Sequence, residues 1–207
     1  MIGAAVVGHP ARRDSAEALA VDLGADLFMD TAGLGEWANH ARAWRGLAAV
    51  GGLSWGAVIQ DDAIPVEGFW GHLEALLGAV PVRTCVGLYM GTSYPWAVQD
   101  RVRRALSKAD RHGAGWVSGS TLYWGVGVAL PVEHIEHVLS RPCSKPYDQR
   151  VGEWYRRDAN LPVLYPSYSL VDHADQDTLV DHGAPRSRPR VAHRVGLGPV
   201  NSRMVEL

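Results

Sequence analysis

The stretch Trp55-Gly56-Ala57-Val58-Ile59-Gln60-Asp61-Asp62 runs from six uncharged residues into two adjacent carboxylates. A short apolar run bounded in this way predicts a buried strand, Trp55 to Ile59, ending at a polar edge. The upstream segments repeat the arrangement. Ala4 to Gly8 is apolar and ends in His9-Pro10, after which Asp14 or Ser15 can cap a helix that runs to Leu23 and closes on Gly24. Ala25 to Met29 reads as another strand ending at Asp30, and Trp37, Ala41, Trp44, Leu47 and Ala48 then recur at helical spacing. Downstream, Phe69, Leu73, Leu76, Leu77 and Val80 mark a helix, and Val82 to Met90 a fourth strand.

Strands alternating with helices predict an α/β fold, with a mostly parallel or mixed central sheet covered by helices on both faces. Such sheets bind ligands at the carboxyl ends of their strands. In the second half, Pro95 suits the first turn of a helix containing Val98, Val102, Ala105, Leu106 and Ala109. Thr121 to Leu130 is strand-like, Val132 to Leu139 and Asp148 to Arg157 are helical, and Leu161 to Leu170 is extended. Pro162 and Pro166 give that last stretch an edge position or an irregular path. From Gly183 onward the chain is rich in Pro, Gly and Arg, so the expected organisation is one domain over 1–182 and a loosely structured tail over 183–207.

The 207 residues are 47% hydrophobic and 20% charged, enough apolar surface for a core without disulfides. A formal net charge of -2 gives no field that would draw the whole protein to nucleic acid or an anionic membrane. Cys85 and Cys143 lack the spacing of a zinc or redox pair, and a reducing cytoplasm is expected. No stretch is long and apolar enough for a membrane span.

Two carboxylates side by side at a strand end repel each other unless a cation or a basic group shares the site. Asp61 and Asp62 therefore suit magnesium or manganese, which take oxygen ligands from one or two carboxylates and fill the rest with water and phosphate oxygens. An acidic turn capping the helix after Pro65 is the other reading. His173 lies at what can be the same sheet edge and is either a ligand or an ordinary hydrogen-bonding histidine. His9, Arg12 and Arg13 follow the first strand, where the next helix offers amides to an anion such as a diphosphate. Asp30 is placed either to bind a ribose hydroxyl or base edge, or to cap the following turn. Asp148 and Glu153 are candidates for a general base; Asp148 also suits a helix N-cap. His134 and His137 read as a polar helix face. No ATPase-type phosphate loop and no serine nucleophile elbow is present.

Six segments form a set: Val7-Gly8-His9-Pro10-Ala11-Arg12, His40-Ala41-Arg42-Ala43-Trp44, Val58-Ile59-Gln60-Asp61-Asp62-Ala63, Leu122-Tyr123-Trp124-Gly125-Val126, Tyr147-Asp148, and Pro166-Ser167 through His173. The set resembles small glycosyltransferases of actinobacterial phages and, more distantly, the lipopolysaccharide and collagen galactosyltransferase family. The resemblance implies a GT-A-like fold, a nucleotide-diphosphate sugar as donor, and a manganese or magnesium ion held by residues matching Asp61, Asp62 and His173. Gln60 departs from the acidic residue common at that point in the galactosyltransferases, so donor and acceptor do not carry over.

Acceptors of such enzymes include hydroxymethylated bases in DNA, virion proteins and glycans. Arg186, Arg188, Arg190, Arg194 and Arg203 could track a DNA backbone, and Trp116, Tyr123 and Trp124 could stack on a sugar or an exposed base. Two other classes stay open: a metal-dependent phosphoesterase or nuclease, and a non-catalytic nucleotide-sugar-binding module.

Overall fold

The apolar runs around Val6 and Val58 become neighbouring parallel strands at the middle of a sheet, because both of their faces are covered. In the computed structural model, which describes residues 1–174 and 189–207, the chain order is β1 (Ile2–Gly8), α1 (Arg13–Leu23), β2 (Asp26–Met29), α2 (Glu36–Ala49), β3 (Trp55–Gln60), β4 (Ala63–Pro65), α3 (Phe69–Gly78), β5 (Val86–Gly87), α4 (Gln99–His112), β6 (Trp116–Gly119), β7 (Gly127–Pro131), α5 (Val132–Ser140), α6 (Tyr147–Trp154), β8 (Val163–Pro166), β9 (Val171–His173) and β10 (Met204–Glu206). Short 3-10 turns precede α1 and α4.

Eight strands form one sheet in the order β10-β6-β8-β5-β7-β3-β1-β2. β1 runs parallel to β2 and β3, β5 to β8, and β6 to β10; β7 is antiparallel to β3 and β5, and β6 to β8. The sheet is mixed, and it has helices on both faces. A Cβ on Gly3 or Gly56 would meet Leu47 of α2 at 3.2 and 3.1 Å, while one on Gly8 would lie 2.8 Å from Ala16 of α1. Gly3 and Gly8 are five apart on one strand and so face opposite sides. Absent side chains at these points let each helix approach the sheet closely.

The first half follows the sequence pattern closely; α1, for example, ends on Gly24, whose φ of 56° lets its N–H return to Ala20 and Val21. Beyond α3 the chain departs from it in four places. The expected strand over 82–90 is regular only at Val86–Gly87, because its neighbours change. Val86 pairs with β7 and β8, whereas Leu88 and Met90 bond to Leu170 and His193. The expected strand over 121–130 begins at Gly127, and 120–126 is a loop tied at Val126 O to Gln60 N, 2.8 Å away. β8 is interior rather than an edge: Pro162 falls just ahead of the strand and Pro166 is its last residue. The tail expected to be loose carries β10, which pairs with β6 and buries Val205. Arg186 and Arg188 lie outside the described residues.

A separate two-stranded sheet pairs β4 with β9 in antiparallel register, setting Ala63 opposite His173. It brings the residues following the acidic pair against the distant histidine. Among the described residues no helix is long and apolar enough to cross a membrane.

Candidate active site

The carboxyl ends of β1, β2 and β3 lie on one edge of the sheet because the three strands are parallel, so His9, Asp30 and Asp61 emerge together. The His9 N–H donates to Asp61 Oδ2 at 2.7 Å. Arg12 Nη1 donates to Asp61 Oδ1 at 3.1 Å and to Asp62 Oδ2 at 2.5 Å. From the other side, His173 Nε2 lies 3.3 Å from Asp62 Oδ2, and the Ala174 N–H donates to the Asp62 carbonyl at 2.7 Å. Four of the sequence candidates, His9, Arg12, Asp61 and Asp62, therefore share one cluster with His173.

A basic group shares the acidic pair, as the repulsion argument requires. Burial pushes the Asp61 carboxyl above its usual range, and the neighbouring Asp62 charge adds to this; the His9 amide and Arg12 oppose it. Burial also depresses the His173 imidazole. The Asp62 carboxylate works against that shift, and Arg190 and Arg12 reinforce it. The ring is thus held toward its neutral form, the form in which a histidine ligates metals.

The donor atoms fit a small divalent ion as a two-ligand site. A separation of 3.3 Å between Asp62 Oδ2 and His173 Nε2 matches the roughly 3 Å between adjacent ligands of an octahedral ion with bonds of about 2.1 Å. Among the described residues, Asp62 Oδ1 is buried without a hydrogen-bond partner, unusual for such an atom. Among the described residues no group of three or more His, Cys, Asp or Glu is arranged to hold a metal, so Asp61 does not complete a triad.

The other candidates divide. The Asp30 carboxylate accepts from the Leu34 and Gly35 N–H groups at 2.7 and 2.9 Å, and these bonds hold it below its usual range. It braces the loop into α2, the capping alternative. The His9 ring likewise serves a local turn, accepting from the Ala11 N–H at 3.1 Å. Asp148 opens α6. Burial raises its carboxyl to about 6, the Glu36 charge adds to the effect, and the Gln149 N–H opposes it. Gly125 lets α6 come this close to the 120–126 loop, since a Cβ there would lie 3.0 Å from Tyr147. His40 stacks on Tyr147 at 3.8 Å and Arg150 lies over Trp37 at 4.4 Å, fixing α6 against α2. A cleft of about 290 Å3 beside Asp148 is lined in part by Tyr94, Thr121, Tyr123 and Gln149.

Several expectations do not hold. Glu153 is no free base: Lys145 bonds it at 2.7 Å, Arg141 and Arg156 approach at 3.4 Å, and the Lys145 bond leads in holding its carboxyl low. Trp116 and Trp124 are 0% and 7% exposed and present no face to a base. Only Tyr123 of that trio reaches the cleft. Arg194 forms a two-pronged pair with Asp110 at 2.6 and 2.7 Å, which occupies it inside the fold.

Three residues were missed as contributors. Asp172 accepts from the N–H groups of His173 and Ala192 at 2.8 and 2.7 Å, tying the C-terminal segment to the site. Its adjacency to His173 was a signal. Arg190, carried in by that segment, and Glu36, at the start of α2, had none in their local sequence.

No family model and no curated protein matches the chain. Among solved structures, it is similar to a Drosophila beta-1,4-galactosyltransferase 7 mutant in complex with manganese, UDP-Gal and xylobiose, with TM-score 0.41, 10% identity, and coverage of 84% of this chain and 71% of that one. It is also similar to A197 from STIV, with TM-score 0.44, 9% identity, and coverage of 99% and 97%.

Proposed function

We propose that the chain is a metal-dependent glycosyltransferase of the GT-A kind, taking a sugar from a nucleotide-diphosphate donor and passing it to an acceptor hydroxyl. The observation that carries this reading is the convergence of Asp62 and His173 at 3.3 Å, on the sheet edge where Arg12 also lies. Two protein ligands suit an ion that shares its shell with phosphate oxygens. Manganese or magnesium bound there would act as a Lewis acid on the leaving diphosphate.

The chain's own residues then have distinct tasks. Asp62 and His173 hold the ion, while Arg12 supplies a fixed positive charge to the diphosphate. Asp61 orients the His9 loop and Arg12. Asp148 accepts the proton of the acceptor hydroxyl; a carboxyl near 6 is mostly ionised at neutral pH yet basic enough to take a proton. The acceptor enters by the cleft that Tyr94 and Tyr123 flank.

A hydrolytic two-metal site needs a second group of ligands beside the first. Asp61 and Asp62 form one acidic pair directly after β3, which suits one ion sharing a diphosphate better than two ions flanking an in-line attack. Hydroxymethylated bases in DNA are one acceptor to test, alongside glycans and proteins.

A panel of nucleotide sugars, incubated with manganese and each acceptor class and scored for nucleoside diphosphate release, tests the proposal. Release that depends on both acceptor and manganese supports it. Equal release without any acceptor marks a hydrolase, and binding without release a non-catalytic module.

A further inference from the structure

One wall of the cleft beside Asp148 is cationic. Gln149, Glu153 and Arg156 recur at helical spacing along α6 and the turn after it, Lys145 stands four residues earlier, and all four line the cleft. Glu153 is nearly buried. It draws Lys145 to 2.7 Å, Arg141 and Arg156 to 3.4 Å and Arg157 to 3.6 Å, while Arg141 also pairs with Asp158. Four cations thus share two carboxylates, and the wall keeps an excess of positive charge. Lys145 and Arg156 are the two that reach the cleft, and their side chains are 46% and 47% exposed. An ammonium carries three donors and a guanidinium five, and among the described residues each of these two side chains gives one hydrogen bond, to Glu153. Arg150 Nε donates to the Lys145 carbonyl at 2.7 Å, which fixes the loop that presents the ammonium. Glu153 therefore holds the cations in place without cancelling them.

We propose that the acceptor carries a phosphate ester, which Lys145 and Arg156 bind while its hydroxyl faces Asp148. The inference rests on the reading of this cleft as the acceptor's entry and of Asp148 as the base. A neutral acceptor would use the carboxylate and the flanking rings of Tyr94 and Tyr123, but it would leave the cations idle. An acceptor with a phosphate near its hydroxyl uses both ends of the cleft. Phosphate oxygens accept charge-assisted hydrogen bonds from an ammonium and from the planar guanidinium fork. The same oxygens are repelled by the Asp148 carboxylate, so the charges that bind the acceptor also set which end of it meets the base. The phosphate can belong to a monoester, as in a phosphorylated sugar, or to a diester, as in a nucleic-acid chain. Cations that served only to fasten α6 would not distinguish a phosphorylated ligand from its uncharged parent.

The test follows the backbone amide NMR signals of Thr121, Tyr123 and Gln149 in the whole protein at constant ionic strength, without donor or metal. Glucose 6-phosphate is compared with glucose, and a thymidine dinucleotide with thymidine. At least one phosphorylated probe is expected to bind the cleft about tenfold more tightly than its uncharged parent, the scale of one hydrogen bond to a charged group. The probe with the larger advantage identifies monoester or diester. Joint replacement Lys145→Gln and Arg156→Gln should erase the advantage and leave the uncharged probes as they were. If that protein does not fold, Arg156→Gln alone should reduce it. Equal affinity for charged and uncharged probes, an advantage that survives the substitutions, or shifts confined to His9 and Asp62 overturns the proposal. None of those results touches the transferase reading, which stands or falls on manganese-dependent release of nucleoside diphosphate. Absence of that release with the advantage intact would sink the transferase reading and leave a phosphate-ester site that serves no acceptor.

Discussion

Asp148→Asn removes a carboxylate that the fold holds in an unfavourable place, so the variant should gain stability where the wild type is charged. The Asp148 carboxyl is raised from 3.8 to about 6, chiefly by burial, with Glu36 adding its charge. The native state therefore keeps the proton more tightly than the unfolded chain. Its stability contribution is full below about pH 4 and is lost as pH rises to about 6. At about 1.4 kcal/mol per unit the loss approaches 3 kcal/mol, and about 2 kcal/mol after allowance for the side chain's partial exposure. Asparagine keeps an oxygen for the Gln149 N–H, so it removes the charge with little else. For a chain of this length about 2 kcal/mol corresponds to about 4–8 °C in Tm. Thermal unfolding at pH 8 should show Asp148→Asn more stable than wild type by that amount, with the gap nearly closed at pH 4. An equal gap at both pH values, or a variant less stable at pH 8, would refute the argument. The same substitution should lower transfer by about a hundred- to ten-thousand-fold, the usual contribution of a general base.

Glu36→Gln takes away the charge that helps raise Asp148, so the acidic limb of kcat/KM against pH should move below about 6; an unmoved limb would detach Glu36 from the site. Gly152→Ala places a methyl within 2.5 Å of the Leu122 N–H and against the Thr121 hydroxyl. It should destabilise by at least about 1–3 kcal/mol in denaturant unfolding, as overpacking does, and a neutral result would contradict the packing of α6 on the 121–122 loop. Truncation after Asn201 removes β10 and exposes the β6 edge, and should lower Tm measurably if the C-terminal segment is part of the sheet.

The first half of the fold was legible because β1 and β3 are closed apolar runs and α1 has its own stop signal in Gly24. The end of β3 was legible for a chemical reason: two adjacent carboxylates demand a positive partner, although sequence left open whether a metal or a base would answer. Arg12 is the partner present here, and its place follows from the parallel pairing of β1 with β3, which no local pattern states. His173 reached the same site through the β4–β9 pair, whose three-residue strands are too short to show a period. The chain beyond α3 was harder because apolar stretches such as 82–90 divide their hydrogen bonds among several neighbours, so continuous burial did not mean a continuous strand. β10 escaped for the opposite reason: a proline- and glycine-rich stretch precedes it, and composition alone cannot show that Val205 finds a place beside β6.

The most direct test of the central claim is calorimetric titration of manganese with nucleotide sugar into wild type, Asp62→Asn and His173→Ala, each first confirmed as folded. The account predicts manganese-dependent donor binding by wild type, its loss in Asp62→Asn and a clear weakening in His173→Ala. Unchanged manganese and donor affinity in both variants would contradict it.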